Sequence, residues 1–380
     1  MAQFSFHRPQ LATQFCDALA GGGIIDARSG MFLAAPRRVG KSTFLREDLV
    51  PEIISRNWFP LYVDLWANKD ADPGIIIAEA IKSALASHQG VIAKTAKSVG
   101  LDKINFGGFV LDLSKAGLPD SVTVADALEK LCEICGRPIV LIVDEAQHAL
   151  TTPAGLNLMF ALKAARDHLN RSNEAAKLML VFTGSHRDKL AHLVLKKDQP
   201  FFGASITPFP LLGFDFAKYF TDWANESLAE DNRLSPDAVY EAFKLVGHRP
   251  EMLRSIIGQI ALAGESENLA SILQDRAREF HDQMWYEMES DFNSLNPLQK
   301  AVLQVMISKR GTTYPPFSED SMLKYQKITG EATISTASIQ SAIEVLRERG
   351  LIWNPSRGYY ALEDDGLAEW YARTHTDNTL

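Results

Sequence analysis

Apolar positions divide the chain into stretches of different rhythm. Up to about residue 210, short continuous apolar runs alternate with longer segments of helical spacing. The runs are Met31–Ala35, Ile139–Val143 and Leu178–Phe182; Phe59–Leu65, broken only by Asp64, is expected as the next strand after Met31–Ala35, and Ser205–Pro210 is a candidate fifth. Runs of this length bounded by turn residues predict strands, and runs without polar alternation predict strands covered on both faces, as in a parallel sheet. Helices are predicted between them: Gln10 to Leu19, stopped by the glycine triplet at Gly21; a helix opening at Lys41, which Pro51 either kinks or follows with a second short one; Pro73 to Ala86, by the apolar spacing of Ile75, Ile77, Ala80, Ile81 and Leu85; Val122 to Gly136; and Ala154 to Leu169. The stretch from Ser87 to Asp120 is less periodic, and only a hairpin around Lys103 to Leu113 is expected there.

From Phe214 the spacing is helical throughout. Expected helices run from Phe214 to Ala229, from Ser235 as N-cap with Pro236 first inside to a stop at Gly247, from Pro250 to Ala263, and from Glu267 to Phe292. The last part changes again, with helices Pro297–Ser308, Ser318–Thr329 and Ser335–Arg349, then a hairpin of Leu351–Trp353 and Tyr359–Leu362. Three helices followed by a hairpin is a winged-helix pattern. The expected organisation is therefore an α/β core over residues 1–212, a helical lid over 213–292 and a winged-helix domain over 293–380.

Composition narrows the partners. A chain of 380 residues exceeds one compact core, and a net charge of -8 argues against a generally basic nucleic-acid coat protein. Residues 291–380 carry nine Lys or Arg against eleven Asp or Glu, and the exposed side of the third helix offers Ser338, Gln340, Ser341, Glu344 and Arg347, little cation for a groove-reading helix. The apolar runs fall far short of a membrane span and no basic-then-apolar leader is seen, so a cytoplasmic protein without a membrane partner is expected. Cys132 and Cys135 stand three apart on the inner face of a predicted helix, with no histidine at ligand spacing, and read as packing residues rather than zinc ligands.

The chemistry concentrates after the first run. Pro36-Arg37-Arg38-Val39-Gly40-Lys41-Ser42 follows a strand and opens a helix, the order of a Walker A loop. Gly40 lets the backbone approach a phosphate, Lys41 reaches the β- and γ-phosphates, and Ser42 places a hydroxyl on magnesium. Ala35 stands where the first glycine of that motif is expected. An alanine at positive φ costs ~1–2 kcal/mol, so Ala35 is expected in ordinary β conformation. The matching acids are Asp144 and Glu145, ending the Ile139 run: Asp144 would hold the metal through water and Glu145 would polarise the attacking water. Thr183 and Ser185, ending the Leu178 run, are candidate phosphate sensors or simple helix caps.

With these pieces placed, the chain resembles, over nearly its whole length, the archaeal-type ATPases of the STAND and AAA+ class, P-loop relatives of the origin-recognition ATPases. The likeness rests on Phe6-His7-Arg8-Pro9, the Pro36–Ser42 stretch, Leu141-Ile142-Val143-Asp144-Glu145-Ala146, Thr183-Gly184-Ser185, Gly247-His248-Arg249-Pro250 and the winged-helix tail. It implies an AAA+-like parallel sheet in the order 5-1-4-3-2, a lid that closes on ATP, and a nucleotide-driven change of shape or of homo-oligomeric assembly. It also implies a lid residue on the nucleotide among His248, Arg249 and Pro250, with Arg254 a turn later. The expected sites are then Pro36, Arg37, Arg38, Val39, Gly40, Lys41, Ser42, Thr43 and Arg249 for ATP, Ser42 and Asp144 for Mg2+, and Glu145, Lys41, Thr183 and Ser185 for catalysis. Where the family often has an arginine after a glycine, Ala204 follows Gly203. An arginine finger is worth about 10³–10⁵ in rate, so hydrolysis should be slow or depend on another arginine, Arg166, Arg171 or Arg187. The leading expectation is an ATP-binding, Mg-dependent, slowly hydrolysing switch. The alternative is a DNA-binding ATPase that assembles on DNA through its winged helix, and a third is a nucleotide-binding scaffold without turnover, against which Glu145 counts.

Overall fold

Each of the apolar runs pairs with another in the computed structural model, which describes residues 4–22, 25–68, 70–88, 103–105, 110–112, 122–171, 176–263, 268–309 and 313–375. Strand β1 (Met31–Ala34) is followed by β2 (Phe59–Asp64), then β3 (Lys103–Asn105) and β4 (Val110–Asp112), then β5 (Ile139–Asp144), β6 (Leu178–Gly184) and β7 (Ile206–Pro208). The larger sheet has the order β2-β5-β6-β1-β7 with every neighbouring pair parallel, and β3 and β4 form a separate antiparallel pair. The expected hairpin around Lys103 is present as that pair; its turn, Leu113 and the rest of residues 89–121 lie outside the described residues.

The chain forms two compact units. One, holding the sheet, comprises His7–Ala35 and Lys41–Phe209; the other comprises residues 4–6, Pro36–Gly40 and 210–375. In the sheet unit the helices are α1 (Pro9–Ala20), α2 (Lys41–Phe44), α3 (Val50–Ser55), α4 (Pro73–His88), α5 (Val124–Cys135), α6 (Pro153–Leu169) and α7 (Arg187–Leu195). Alternate strand residues Phe32, Leu61, Val63, Leu141, Val143, Leu180 and Phe182 share a core with Ile77 and Ile81 of α4, Leu128 and Leu131 of α5, and Met159 and Leu162 of α6. The intervening Leu33, Val140, Ile142, Met179 and Val181 are buried too. Both faces are covered, which is why the runs lack polar alternation.

The helix expected from Lys41 departs from a regular α-helix. One turn, α2, gives way to a π-helical turn over Leu45–Leu49, where the Val50 N–H reaches the Leu45 carbonyl, and α3 then begins with Pro51 in its first turn. Proline has no N–H for the carbonyl four residues back and its ring crowds that carbonyl, so widening the preceding turn accommodates it without a break. The Cys132 and Cys135 side chains pack against the sheet core, and burial pushes both thiols up from their ordinary range.

The second unit contains two separate apolar cores. Helices α8 (Phe214–Asn225), α9 (Pro236–Leu245) and α10 (Pro250–Ala263) enclose the first, with Phe216, Phe220, Phe243 and Leu253 at its centre. Ser235 caps α9 by accepting the Ala238 N–H at 3.2 Å, and Gly247 ends that stretch at φ 67°. Helix α11 (Leu269–Asn293) puts Leu269, Leu273 and Ala277 into this first core and Phe292, with Trp285 and Met288, into the next. The expected helix start at Glu267 lies outside the described residues. The second core is built by α12 (Pro297–Ser308), α13 (Glu319–Thr329), α14 (Thr336–Glu348) and the antiparallel pair β8 (Ile352–Ser356) and β9 (Tyr359–Leu362), to which Tyr314 adds a bridge at Tyr360. A further helix, α15 (Gly366–Thr374), buries Leu367 and Trp370 there. The sequence reading did not anticipate it, because nine residues carry too few apolar positions to establish a period.

Candidate functional site

Strand register brings the predicted acid Asp144 and the predicted sensor Thr183 to one row, together with Asp64, which was not predicted. Asp64 of β2 lies opposite Asp144 of β5, and Thr183 of β6 is one step beyond the Val143–Phe182 pair and opposite Leu33 of β1. These residues form one row across the carboxyl ends of the parallel strands, where open α/β sheets bind ligands. Residues whose side chains share a face at that row can hydrogen-bond directly.

Asp144 is 1 % exposed. Its Oδ1 accepts from the Thr183 hydroxyl and from the Glu145 N–H at 3.1 Å, and its Oδ2 accepts from the Tyr62 hydroxyl at 2.8 Å. All three donors are neutral. Thr183, fully buried, also accepts the Glu145 N–H at 3.3 Å. Thr183 thus fixes both the carboxylate and the backbone that follows it. That backbone is left-handed, with Glu145 at φ 54°, a conformation worth about 1–3 kcal/mol of strain in a non-glycine residue and concentrated at functional sites.

Glu145 turns its carboxylate to Lys41. The ammonium Nζ donates to Oε1 at 3.2 Å, with Lys41 5 % and Glu145 17 % exposed at the side chain. Oε2 accepts from the Ser185 hydroxyl at 2.9 Å and from the Gln147 amide, which also donates to Ser185 Oγ at 3.0 Å. Burial pushes the carboxyl pKa of Glu145 up, but the Lys41 charge and the hydrogen bonds from Gln147, Ser185 and Lys41 outweigh it and hold the group below the ordinary glutamate value. Burial beside the Asp144 charge keeps the Tyr62 phenol well above its ordinary range.

Lys41, Asp144, Glu145, Thr183 and Ser185, spread over 145 positions of the chain, are therefore one connected group. Ser42 lies beside Lys41 in α2, half-buried, and Thr43 is exposed. In the connecting loop Pro36, Arg37 and Arg38 are exposed, Val39 is buried and Gly40 is half-buried. Ala35 continues the strand, its N–H on the Gly184 carbonyl at 3.2 Å, and the positive φ values fall on Arg38 at 66° and Gly40 at 85°.

Arg249 belongs to the other unit, half-buried with its guanidinium over the Phe280 ring at 5.9 Å. Next to it His248 takes φ 55° and its Nδ1 pairs with the Leu212 carbonyl at 2.8 Å, while Arg254 stacks on Trp223 at 5.3 Å. Of the three substitute arginines, Arg166 bonds to the Ser29 carbonyl, just before β1 begins, and Arg171 precedes β6. Both are at the amino ends of the strands, away from the Lys41 group. Arg187 opens α7 two residues after Ser185, at the carboxyl ends.

Sequence reasoning missed Tyr62, Arg46 and Gln147. Tyr62 reads as an ordinary strand residue, and only its register, opposite Ile142 and so diagonal to Asp144, reveals its reach. Arg46 Nη2 donates to the Tyr62 oxygen at 3.3 Å and lies 3.7 Å from Asp64. In the opening segment Arg8 stacks on Phe44 and Phe209 at 4.9 and 4.5 Å, and His7 pairs with Asp48 at 2.8 Å.

No protein-family model and no curated protein matches the chain. Solved structures share its fold over nearly their whole length, two of them as follows. The Walker-type ATPase Paby2304 of Pyrococcus abyssi is 17 % identical, with a TM-score of 0.55 over 96 % of this chain and 95 % of that one. The ORC2 protein of Aeropyrum pernix, in its ADP form, is 13 % identical, with a TM-score of 0.56 over 99 % of this chain and 96 % of that one. At these identities the likeness is one of fold alone: a mostly parallel α/β sheet with helices, shared with that Walker-type ATPase and that ORC2 protein.

Proposed function

We propose that the chain is a P-loop ATPase of the AAA+/STAND kind that binds Mg-ATP at the carboxyl ends of β1, β5 and β6, hydrolyses it slowly, and acts as a nucleotide-controlled switch. The observation that carries the reading is the convergence of Lys41, Asp144 and Glu145 on one hydrogen-bonded group, supported by a fold shared with a Walker-type ATPase and with an origin-recognition protein in an ADP form. Residues 36–43 and, by the resemblance, Arg249 are assigned to the nucleotide.

The donor set suits a hard divalent cation. Asp144 is a buried carboxylate whose protein donors are all neutral, and the Ser42 hydroxyl is a second oxygen ligand of the type magnesium takes. Bound there through Ser42 and Asp144, magnesium would neutralise phosphate charge. Thr183 orients Asp144, and Ser185 and Gln147 orient Glu145. In the present geometry Glu145 is bonded to Lys41, so a triphosphate that draws Lys41 to its own oxygens releases Glu145 to a water. Regions 213–292 and 293–380 are read as lid and winged helix, the latter supported by the Tyr314 bridge to the hairpin.

Nucleotide affinity of Lys41→Ala and turnover of Glu145→Gln test the reading. Loss of at least tenfold in the first and of turnover with retained binding in the second are expected; unchanged binding in Lys41→Ala removes the claim. Assembly on DNA has less support, because α14 exposes Ser338, Gln340, Ser341 and Glu344, and Gln340 is bonded to Glu344 at 2.9 Å. A steep fall of DNA affinity with salt would revive it.

A further inference from the structure

The two oxygens of Asp144 are held differently. Oδ1 is fixed by Thr183 of the neighbouring strand β6 and by the next backbone N–H, whereas Oδ2 takes the hydroxyl of Tyr62 from β2, the neighbour on the other side. The phenol is itself tethered. Its oxygen accepts from Arg46 Nη2 at 3.3 Å, the guanidinium lies 5.1 Å from the ring centre, and the same guanidinium is 3.7 Å from Asp64. Arg46 sits in the π-helical turn five residues after Lys41. The chain Arg46–Tyr62–Asp144 thus links the segment behind the proposed phosphate loop to the proposed metal acid.

A magnesium ion keeps several of its waters and reaches protein carboxylates through few contacts. A metal-bound water approaching Asp144 is a hydrogen-bond donor, and so is the Tyr62 hydroxyl. Both seek the acceptor capacity of a carboxylate that is almost wholly enclosed and already holds two donors on Oδ1. We propose that Tyr62, tethered by Arg46, is a placeholder on Asp144 that sets the magnesium concentration at which the nucleotide site fills. This rests on the ATPase reading above and deepens it: Tyr62 is a positioning residue, and loading the site requires its hydroxyl to give up Oδ2 against the tether that Arg46 supplies.

The test is the free-magnesium dependence of binding of a fluorescent ATP analogue to the full chain, with an EDTA arm for magnesium-free affinity. In Tyr62→Phe the ring packing is kept and the competing donor is lost. One hydrogen bond to a charged acceptor corresponds to roughly a tenfold change in equilibrium, so the magnesium midpoint should fall about tenfold while EDTA-arm affinity stays at the wild-type value. Arg46→Ala, at an exposed side chain, should lower the midpoint in the same direction by less. The double variant should match Tyr62→Phe alone, since Arg46 acts through the phenol. A midpoint unmoved or raised in Tyr62→Phe, with nucleotide still bound, overturns the placeholder role and leaves the ATPase reading intact. Absence of nucleotide binding by the wild type in both arms overturns both.

Discussion

Replacing Lys41 by Met should destabilise the site in a pH-dependent way. The ammonium is 3.2 Å from Glu145 Oε1 and both side chains are largely enclosed. Unit charges at that separation interact by about 5 kcal/mol at an effective dielectric constant near 20, and removing one partner of a buried pair costs about 3–5 kcal/mol. Because Gln147 and Ser185 still donate to Oε2 in the variant, the low end applies, about 3 kcal/mol at pH 7. Burial raises the pKa of Glu145 but Lys41 and the hydrogen bonds bring it below 4.5. A folded pKa below the unfolded one contributes stability that is complete above the unfolded value and is lost as pH falls through the folded value. Without Lys41 the chief lowering cause is gone, burial remains, and the advantage of the ionised carboxylate disappears. The difference between wild type and Lys41→Met should therefore shrink from about 3 kcal/mol at pH 7 to under ~1 kcal/mol once Glu145 is protonated in both. Hydrogen exchange of β5 and β6 amides, which reports local opening, measured across pH 3 to 7 on both proteins, would show it. A difference that does not change with pH would refute the ion pair as the source of the stabilisation.

Two other substitutions test the frame around the acids. Thr183→Val keeps the volume but removes the donor to Asp144; a hydrogen bond to a charged group is worth about 1.5–3 kcal/mol, so a loss near 2 kcal/mol is expected by the same exchange measurement, and a loss below ~0.5 kcal/mol would deny Thr183 its orienting role. Gly155→Ala at the start of α6 would set its methyl 2.1 Å from the Ala149 carbonyl oxygen, a backbone atom with nowhere to go. A cost of about 3 kcal/mol or more is expected from denaturant unfolding, since overpacking costs of 1–3 kcal/mol assume neighbours that can yield; a neutral result would mean that the loop from Ala146 to Thr151 is free to move.

What the sequence disclosed is what local pattern encodes. The runs at Met31, Phe59, Ile139 and Leu178 formed strands because continuous apolar residues have few other ways to bury both faces, and Lys41, Asp144 and Glu145 were named because their positions relative to those strands are fixed by the motif. Ser235, Pro236 and Gly247 marked α9 through capping chemistry alone. What stayed hidden depends on register between distant segments. Tyr62 meets Asp144 only because Asp64 and Asp144 are aligned, and Gln147 meets Ser185 only because the turn after β5 folds toward the end of β6. The π-helical turn was out of reach for another reason: Pro51 announces that the backbone must adjust, but not which neighbouring turn will absorb the change.

Helix α11 contributes to two apolar cores, one at each end, with its middle largely in solvent. Its 25 residues span about 37 Å at 1.5 Å per residue. No loop separates the two cores along this path, so the helix is a lever arm: a tilt of about 5° imposed where Leu269 and Leu273 are gripped would carry Phe292 and the residues packed on it through roughly 3 Å. A small rotation of the α8–α10 region would, if the helix stays straight, be delivered enlarged to the C-terminal core, and a glycine pair placed in the exposed middle of the helix would uncouple the two.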